Sequence, residues 1–306
     1  MNASGVIIVD KPAGPTSHDV VARVRQILRT RRVGHTGTLD PFATGVLVIC
    51  FGKATRLAQF FLRDEKEYIA RMRLGWSTDT GDLTGAQLSP PTDVGNLTTE
   101  QILTALDYFR GHIRQVPPMY AAKKINGVKL YEMARRGQVI ERAPIDVEIK
   151  ELELLAVDKS GISQDVTFRV VCSSGTYIRA LAEDIGQRLS AGAHLVALQR
   201  TRAGRCVLSD GVTLERLAEL EEAGLAHEAL RPVGAVLGLR QVGLSPAERQ
   251  LVLNGRGVGQ GVAGEPGECA MLCGEDGELL AIAEYDAVSV CWQPRVVIAD
   301  VRDGQR

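Results

Sequence analysis

The 306-residue sequence contains no apolar run of about 18 residues, so no membrane-spanning helix and no membrane partner are expected. Its first residues, Met1 to Pro12, hold no basic stretch followed by a long apolar one, and they do not read as a secretory signal. Cysteine is sparse and scattered. Of Cys50, Cys172, Cys206, Cys269, Cys273 and Cys291, only Cys269 and Cys273 stand close together, with no histidine or second pair beside them. That spacing argues against a zinc site, and no metal is expected. Dispersed cysteines suit a reducing compartment, so the expected location is cytoplasmic, with most thiols acting as small core residues. No Gly-Lys-Ser/Thr stands at the spacing of a phosphate-binding loop, and Gly52-Lys53-Ala54-Thr55 lacks the upstream glycine. Internal repeats and low-complexity segments are missing too.

What is present is an ordinary globular composition, 45% hydrophobic and 24% charged, long enough for one large domain and one small one. The net charge of −1 conceals an asymmetry. Residues 1–209 carry 28 Lys+Arg against 21 Asp+Glu, whereas residues 210–306 carry 8 against 16. A basic front and an acidic rear fit a polyanionic partner for the front; from charge alone, an uneven surface without functional meaning fits equally well.

Val6-Ile7-Ile8-Val9 reads as a short buried strand, stopped by Lys11-Pro12 and Gly14-Pro15. Thr16 and Asp19 stand at capping-box spacing ahead of Val20, Val21, Val24, Ile27 and Leu28, which share one helical face. Tyr68, Ala70, Met72 and Leu74 alternate with Ile69, Arg71 and Arg73, the pattern of a half-exposed strand. A helix is expected from Thr98 to Gly111, a strand over Val166–Cys172, and a helix with Ile178, Leu181, Ala182, Ile185 and Leu189 inward. Another helix is expected near Thr213–Glu222. Strands and helices alternate without a βαβ rhythm, so the fold class predicted is α+β rather than doubly wound. After Arg231-Pro232 the segments become short and Gly-rich. Ala270–Cys273 and Glu278–Ala283 flank Gly274-Glu275-Asp276-Gly277 as a hairpin. The expected division is a large domain at residues 1–238 and a small all-β one at 239–306.

Chemistry is most concentrated in Val33-Gly34-His35-Thr36-Gly37-Thr38-Leu39-Asp40-Pro41-Phe42-Ala43-Thr44-Gly45. Three glycines and a proline in these thirteen residues predict a loop, followed by a buried strand at Val46–Phe51. One carboxylate, one histidine and several hydroxyls thus sit on a constrained loop against the core. By spacing alone a turn is the better explanation of Asp40-Pro41.

The stretch from Gly34 to Gly45 resembles the signature of the tRNA pseudouridine synthases that act on uridine 55. The resemblance extends to Lys11-Pro12-x-Gly14, Lys66-Glu67-Tyr68, Thr78-Asp79-Thr80-x-Asp82 and Val116–Lys123. It continues through Gly127–Gly137, Ser174–Arg179 and Gly192–Arg200, in family order. It implies a mixed, mainly antiparallel central sheet with flanking helices, followed by a β-barrel-like module related to the PUA RNA-binding domain. It also implies isomerisation of uridine 55 in the tRNA T loop to pseudouridine. Carried over by residue, Asp40 matches the essential aspartate and Arg179 the arginine that pairs with it. His35 matches the histidine that replaces the flipped base, and Tyr68 the tyrosine that stacks on the uracil. Tyr177 and Leu198 match further pocket residues, and Lys11 a lysine supporting the first strand and the loop.

The implied reaction exchanges a C–N for a C–C glycosidic bond with no redox step and no external group, so no cofactor is expected. A base inside a folded T loop must be flipped out to be reached. Lys123, Lys124, Lys129, Arg135, Arg136 and Arg142 fall within twenty residues and read as an RNA-backbone-tracking insertion at about 119–145; a solvated charged face is the alternative. Residues 239–306 carry 6 basic and 10 acidic side chains, unlike a strongly phosphate-binding module. The expected partner is the T arm of tRNA, engaged by a monomer. A second reading is a tRNA-binding or tRNA-folding protein on the same scaffold with secondary or no catalysis. A third, a metal- or nucleotide-dependent hydrolase using His18, His35 and Asp40, has no ligand cluster behind it. If Asp40 is the working carboxylate, Arg179 must reach it, Tyr68 must face the same cavity and the basic insertion must border it.

Overall fold

A computed structural model describes residues 4–88, 90–120, 124–125, 128–129, 133, 140–259 and 262–298. Its strands are β1 (Gly5–Lys11), β2 (Val33–His35), β3 (Thr44–Phe51), β4 (Lys66–Leu74) and β5 (Gly111–Gln115). Two-residue strands follow at β6 (Lys124–Ile125) and β7 (Val128–Lys129). Then come β8 (Ile145–Ser160), β9 (Ser163–Cys172), β10 (Ala193–Ala203) and β11 (Cys206–Val207). The rear holds β12 (Arg240–Gly243), β13 (Cys269–Cys273), β14 (Leu279–Asp286) and β15 (Cys291–Val297). Among the described residues the main sheet runs β1-β3-β10-β4-β9-β8-β5, with β2 beside β3 and β11 beside β10. Every pairing in it is antiparallel except a short parallel contact of β3 with β10, where Thr44 faces Gln199 and Gly45 faces Arg200. The α+β expectation therefore holds.

Side-chain patterning explains which faces are covered. On β4, Lys66, Tyr68, Ala70, Met72 and Leu74 are buried while Glu67, Ile69, Arg71 and Arg73 are not. One face of this part of the sheet is packed and the other is wet, as alternation predicts. The packed face meets Val20, Val24 and Ile27 of the helix Ser17–Ile27, Ile102 and Leu106 of Thr99–Tyr108, and Leu181 and Ile185 of Ile178–Arg188. β1 and β3 are instead apolar without alternation, because both of their faces are covered. Ile7, Val9, Leu47 and Ile49 point into that same core. Val6, Ile8, Val46 and Val48 point the other way, against Met271, Cys273, Ile282 and Val296 of the rear sheet.

Helix starts follow local chemistry. Thr16 with Asp19, Thr98 with Gln101, and Ser245 with Glu248 form full capping boxes, and Thr213 caps Leu214–Glu222. Two expectations are amended. The Val33–Gly45 stretch is not loop throughout: Val33, Gly34 and His35 pair with Phe51, Cys50 and Ile49. The rear is not all-β. Its four strands, in the order β12-β13-β14-β15, make an open sheet among the described residues, and the helix Pro246–Leu253 packs on it.

Candidate active site

Asp40 lies in the connection between β2 and β3, and three separate tethers fix that connection. Ser17, buried at the start of its helix, accepts a hydrogen bond from the Leu39 N–H (2.9 Å) and donates one to the Leu39 carbonyl (3.0 Å). Lys11, fully buried at the end of β1, donates from Nζ to the carbonyls of Pro12 (2.9 Å), Pro41 (3.1 Å) and Ala43 (2.7 Å). Burial pushes the Lys11 ammonium down to about 8, with Asp40 opposing that fall. Arg200, buried on β10, donates to the carbonyls of Val46 (2.7 Å), Gly37 (3.1 Å) and Thr38 (3.5 Å). Cationic donors thus gather the loop's carbonyls beneath it and leave its one carboxylate facing outward.

Arg179 meets that carboxylate side-on. Its Nη2 and Nε lie 2.9 Å from Asp40 Oδ1 and Oδ2 respectively, a bidentate pair. The guanidinium also donates from Nη1 to the Thr80 carbonyl (2.8 Å) and from Nη2 to the Tyr120 carbonyl (2.7 Å). Asp82 Oδ2 lies 3.8 Å from Nη1. Asp82 is itself fixed by Thr80 Oγ1 (2.9 Å), the Thr84 N–H (2.9 Å) and Thr84 Oγ1 (2.6 Å). Arg179 is 5% exposed and Asp40 28%, so the arginine lies deeper and the half-buried carboxylate opens onto the cavity above. Burial raises the Asp40 carboxyl above its ordinary range, and Arg179 pulls it part of the way back.

Above the pair opens a cavity of about 260 Å³, lined by Asp40, Arg179, Tyr68, Tyr177, Leu198 and Arg200, with Lys66 and Leu62 at its side. Tyr68 is buried on β4 directly across from Arg200, and burial raises its phenol above the ordinary value, so the ring is neutral. Lys66 is also buried, its Nζ held by the carbonyls of Phe61, Leu62 and Asp64. Of the residues expected from the sequence, Asp40, Arg179, Tyr68, Tyr177 and Leu198 converge on this cavity. Lys11 lies beneath the loop. His35 is not among the residues lining the cavity; at the end of β2 its Nδ1 accepts from the Gly37 N–H (3.2 Å) and its ring meets His18 edge-on at 5.3 Å. Lys123, Arg135 and Arg136 lie outside the described residues, and of Lys124 and Lys129 only the backbone is described, as the β6–β7 pair. The stem of that insertion does border the site, through the Tyr120 carbonyl on Arg179 and Arg142 Nη1 on the Pro117 carbonyl (3.0 Å). The sequence alone assigns no role to Arg200, Asp82, Lys66 or Ser17. The first three stand inside the quoted motif blocks, which was the available signal; nothing local marks Ser17.

Comparison with known proteins gives the family of the chain. Residues 25–178 match the model of the TruB family pseudouridylate synthase N-terminal domain. Residues 179–242 match that of the tRNA pseudouridylate synthase B C-terminal domain. The chain belongs to the TruB family. It is 46% identical over 254 residues to a tRNA pseudouridine synthase B of Ralstonia nicotianae, covering 82% of this chain and 80% of the relative. It is also 46% identical over 220 residues to one of Francisella philomiragia, covering 72% of each. Among solved structures, a chain of a Cbf5-Nop10-Gar1 complex superposes with a TM-score of 0.75 at 28% identity, over 97% of this chain and 85% of that one. A chain of an H/ACA RNP bound to a substrate RNA containing 2'-deoxyuridine gives 0.73 at 28% identity, over 96% and 85%.

Proposed function

We propose that this TruB-family chain is a tRNA pseudouridine synthase that isomerises uridine 55 of the T loop, with Asp40 as the catalytic carboxylate. The observation that carries the proposal is the bidentate Arg179–Asp40 pair at the floor of a cavity walled by Tyr68. The reaction breaks the C1′–N1 bond, turns the uracil and joins C1′ to C5; the C5 proton leaves to solvent and N1 takes up a proton, so the product is an isomer. Nothing is oxidised and no group enters, so the reaction is proposed to run without a cofactor. An anionic oxygen is required as nucleophile or base. Arg179 favours that anion against the cost of burial.

The flipped uracil enters between Tyr68 and Leu198, where stacking on the neutral tyrosine contributes about 1–3 kcal/mol. Tyr177 lines the same cavity. His35 fills the place the base vacates in the loop, and Lys11 holds β1 to the loop carrying Asp40. The T arm lies along the basic front, with Lys123, Lys124, Lys129, Arg135 and Arg136 on its phosphates. One chain acting alone in the cytoplasm suffices. The large domain is taken as residues 1–238 and the PUA-like module as 239–306.

The test is tritium release from tRNA carrying 5-tritiated uridine, followed by mapping of the modified position. Wild type is expected to release tritium from one uridine per tRNA, at position 55. Asp40→Asn is expected to release none while keeping tRNA affinity. No release by wild type, or equal release by Asp40→Asn, overturns the assignment.

A further inference from the structure

The helix Ile178–Arg188 carries Arg179 in its first turn, and it starts unlike the other long helices. Thr16, Thr98, Thr213 and Ser245 cap theirs with a side chain. At this helix the cap residue is Tyr177, whose side chain makes no capping bond, and the first turn holds no acidic residue. An arginine there also opposes the helix dipole. Something outside the helix must hold its start.

Gln115 does. It is the last residue of β5 and is completely buried. Its Oε1 accepts the Tyr177 N–H at 3.0 Å, and its Nε2 donates to the Tyr177 carbonyl at 3.3 Å. One primary amide therefore grips a single residue on both sides, as a neighbouring strand would. The residue gripped presents its ring to the cavity, and two positions later the chain presents Arg179. Beyond Gln115 the chain runs through Pro117, whose carbonyl takes Arg142, to Tyr120, whose carbonyl takes Arg179. Gln115 thus joins the base of the insertion stem to Tyr177, while the Tyr120 carbonyl further along the stem meets Arg179.

We infer that Gln115 is a positioning residue for the reaction, fixing Tyr177 and Arg179 relative to Asp40 and tying their alignment to the insertion stem. The inference rests on the proposed isomerase reading. It concerns rate rather than RNA affinity, because Gln115 is buried beneath the groups that would touch RNA. A displacement of catalytic groups by ~1 Å can cost about 10²-fold in rate.

Gln115→Met keeps the volume and removes both bonds; Gln115→Glu keeps the acceptor for the Tyr177 N–H and removes the donor. Gln164→Met is the control, since Gln164 is equally buried and bonds the carbonyls of Val94 (2.6 Å) and Leu97 (3.0 Å), away from the cavity. Single-turnover tritium release at saturating enzyme separates rate constant from active fraction, and filter binding gives tRNA affinity. Gln115→Met is expected to lower the rate constant roughly 10- to 100-fold with affinity within about twofold. Gln115→Glu is expected to fall between it and wild type, and Gln164→Met to keep the wild-type constant. A Gln115→Met enzyme with reduced amplitude but a wild-type rate constant has a merely structural glutamine, and the inference fails. If Gln115→Met does not fold, a wild-type constant in Gln115→Glu overturns it equally. Inactive wild type would strike the isomerase reading itself and is told apart at once.

Discussion

Asp40 is held between two opposed influences. Burial drives its carboxyl upward, and the Arg179 guanidinium, bonded to both of its oxygens, drives it down, with burial the larger. Only the ionised form can serve the proposed reaction. Activity should therefore fall, as pH drops, through a value above the ordinary carboxylate figure of 3.8. The single-turnover rate measured against pH checks this, and an acid limb at or below 3.8 would contradict the burial of Asp40. At this scale the sequence spoke only in part. Asp40, Arg179, Tyr68, Tyr177 and Leu198 were readable through the order of motifs around them, not through composition or spacing. Arg200 and Lys66 stand inside those motifs without their roles following from them, and Gln115 stands in none. Each is a buried polar residue whose partners are backbone groups: Arg200 bonds carbonyls more than 150 positions away, Gln115 a residue 62 positions on, and Lys66 carbonyls just upstream. Carbonyl acceptors leave no mark on side-chain identity, so such roles are invisible until the chain is folded.

Among the elements, legibility followed burial pattern. β4 alternates because one face is covered, and β1 and β3 run apolar because both are. β8 escaped because its register shifts between Ile149 and Glu151 and again between Leu154 and Ala156, and each bulge breaks the period of two. The parallel contact of β3 with β10 was equally hidden, yet it sets the site by laying Gly45 on Arg200. Gly45 has φ +96°, and a Cβ there would meet the Arg200 carbonyl oxygen 2.3 Å away, so no side chain fits without moving one strand. Gly45→Ala should cost roughly 2–4 kcal/mol, read as a lowered urea midpoint; an unchanged midpoint would deny the contact.

The helix of Arg179 allows a second test at this scale. Glu183, one turn on, is raised by burial, and next by Asp184, from 4.5 to about 7. Between those values the folded state keeps a proton that the unfolded state releases, so the stability present below pH 4.5 is lost as pH rises through about 7. Glu183→Gln removes that loss. The variant should match wild type near pH 5 and exceed it by about 1 kcal/mol at pH 8, a figure reduced for partial solvent contact. Urea titrations at the two pH values decide it; a pH-independent difference would refute the linkage.

For the whole molecule, the front and rear differ in charge but share a core. Val6, Ile8, Val46 and Val48 of the main sheet and Met271, Cys273, Ile282 and Val296 of the rear sheet form one buried cluster. The strands that face the rear sheet with these residues turn their other residues, Ile7, Val9, Leu47 and Ile49, toward the core beneath the site. Loss of the rear sheet would expose one whole face of β1 and β3, the strands whose ends carry Lys11 and the Asp40 loop. The acidic rear is on this view a structural backing for the catalytic sheet, whatever it adds to RNA affinity. The two tryptophans report the two parts separately: Trp76 lies just beyond β4, and Trp292 is fully buried in the rear sheet. Trp76→Phe and Trp292→Phe each leave one reporter, and their fluorescence unfolding midpoints should fall with those of circular dichroism on one transition, as a single cooperative unit requires. Ile282→Ala, made in the shared cluster and far in sequence from the site, should cost about 2–5 kcal/mol and lower the Trp76-reported midpoint as much as the Trp292-reported one. If Ile282→Ala shifts only the Trp292 signal, the rear sheet unfolds on its own and β1 and β3 do not depend on it.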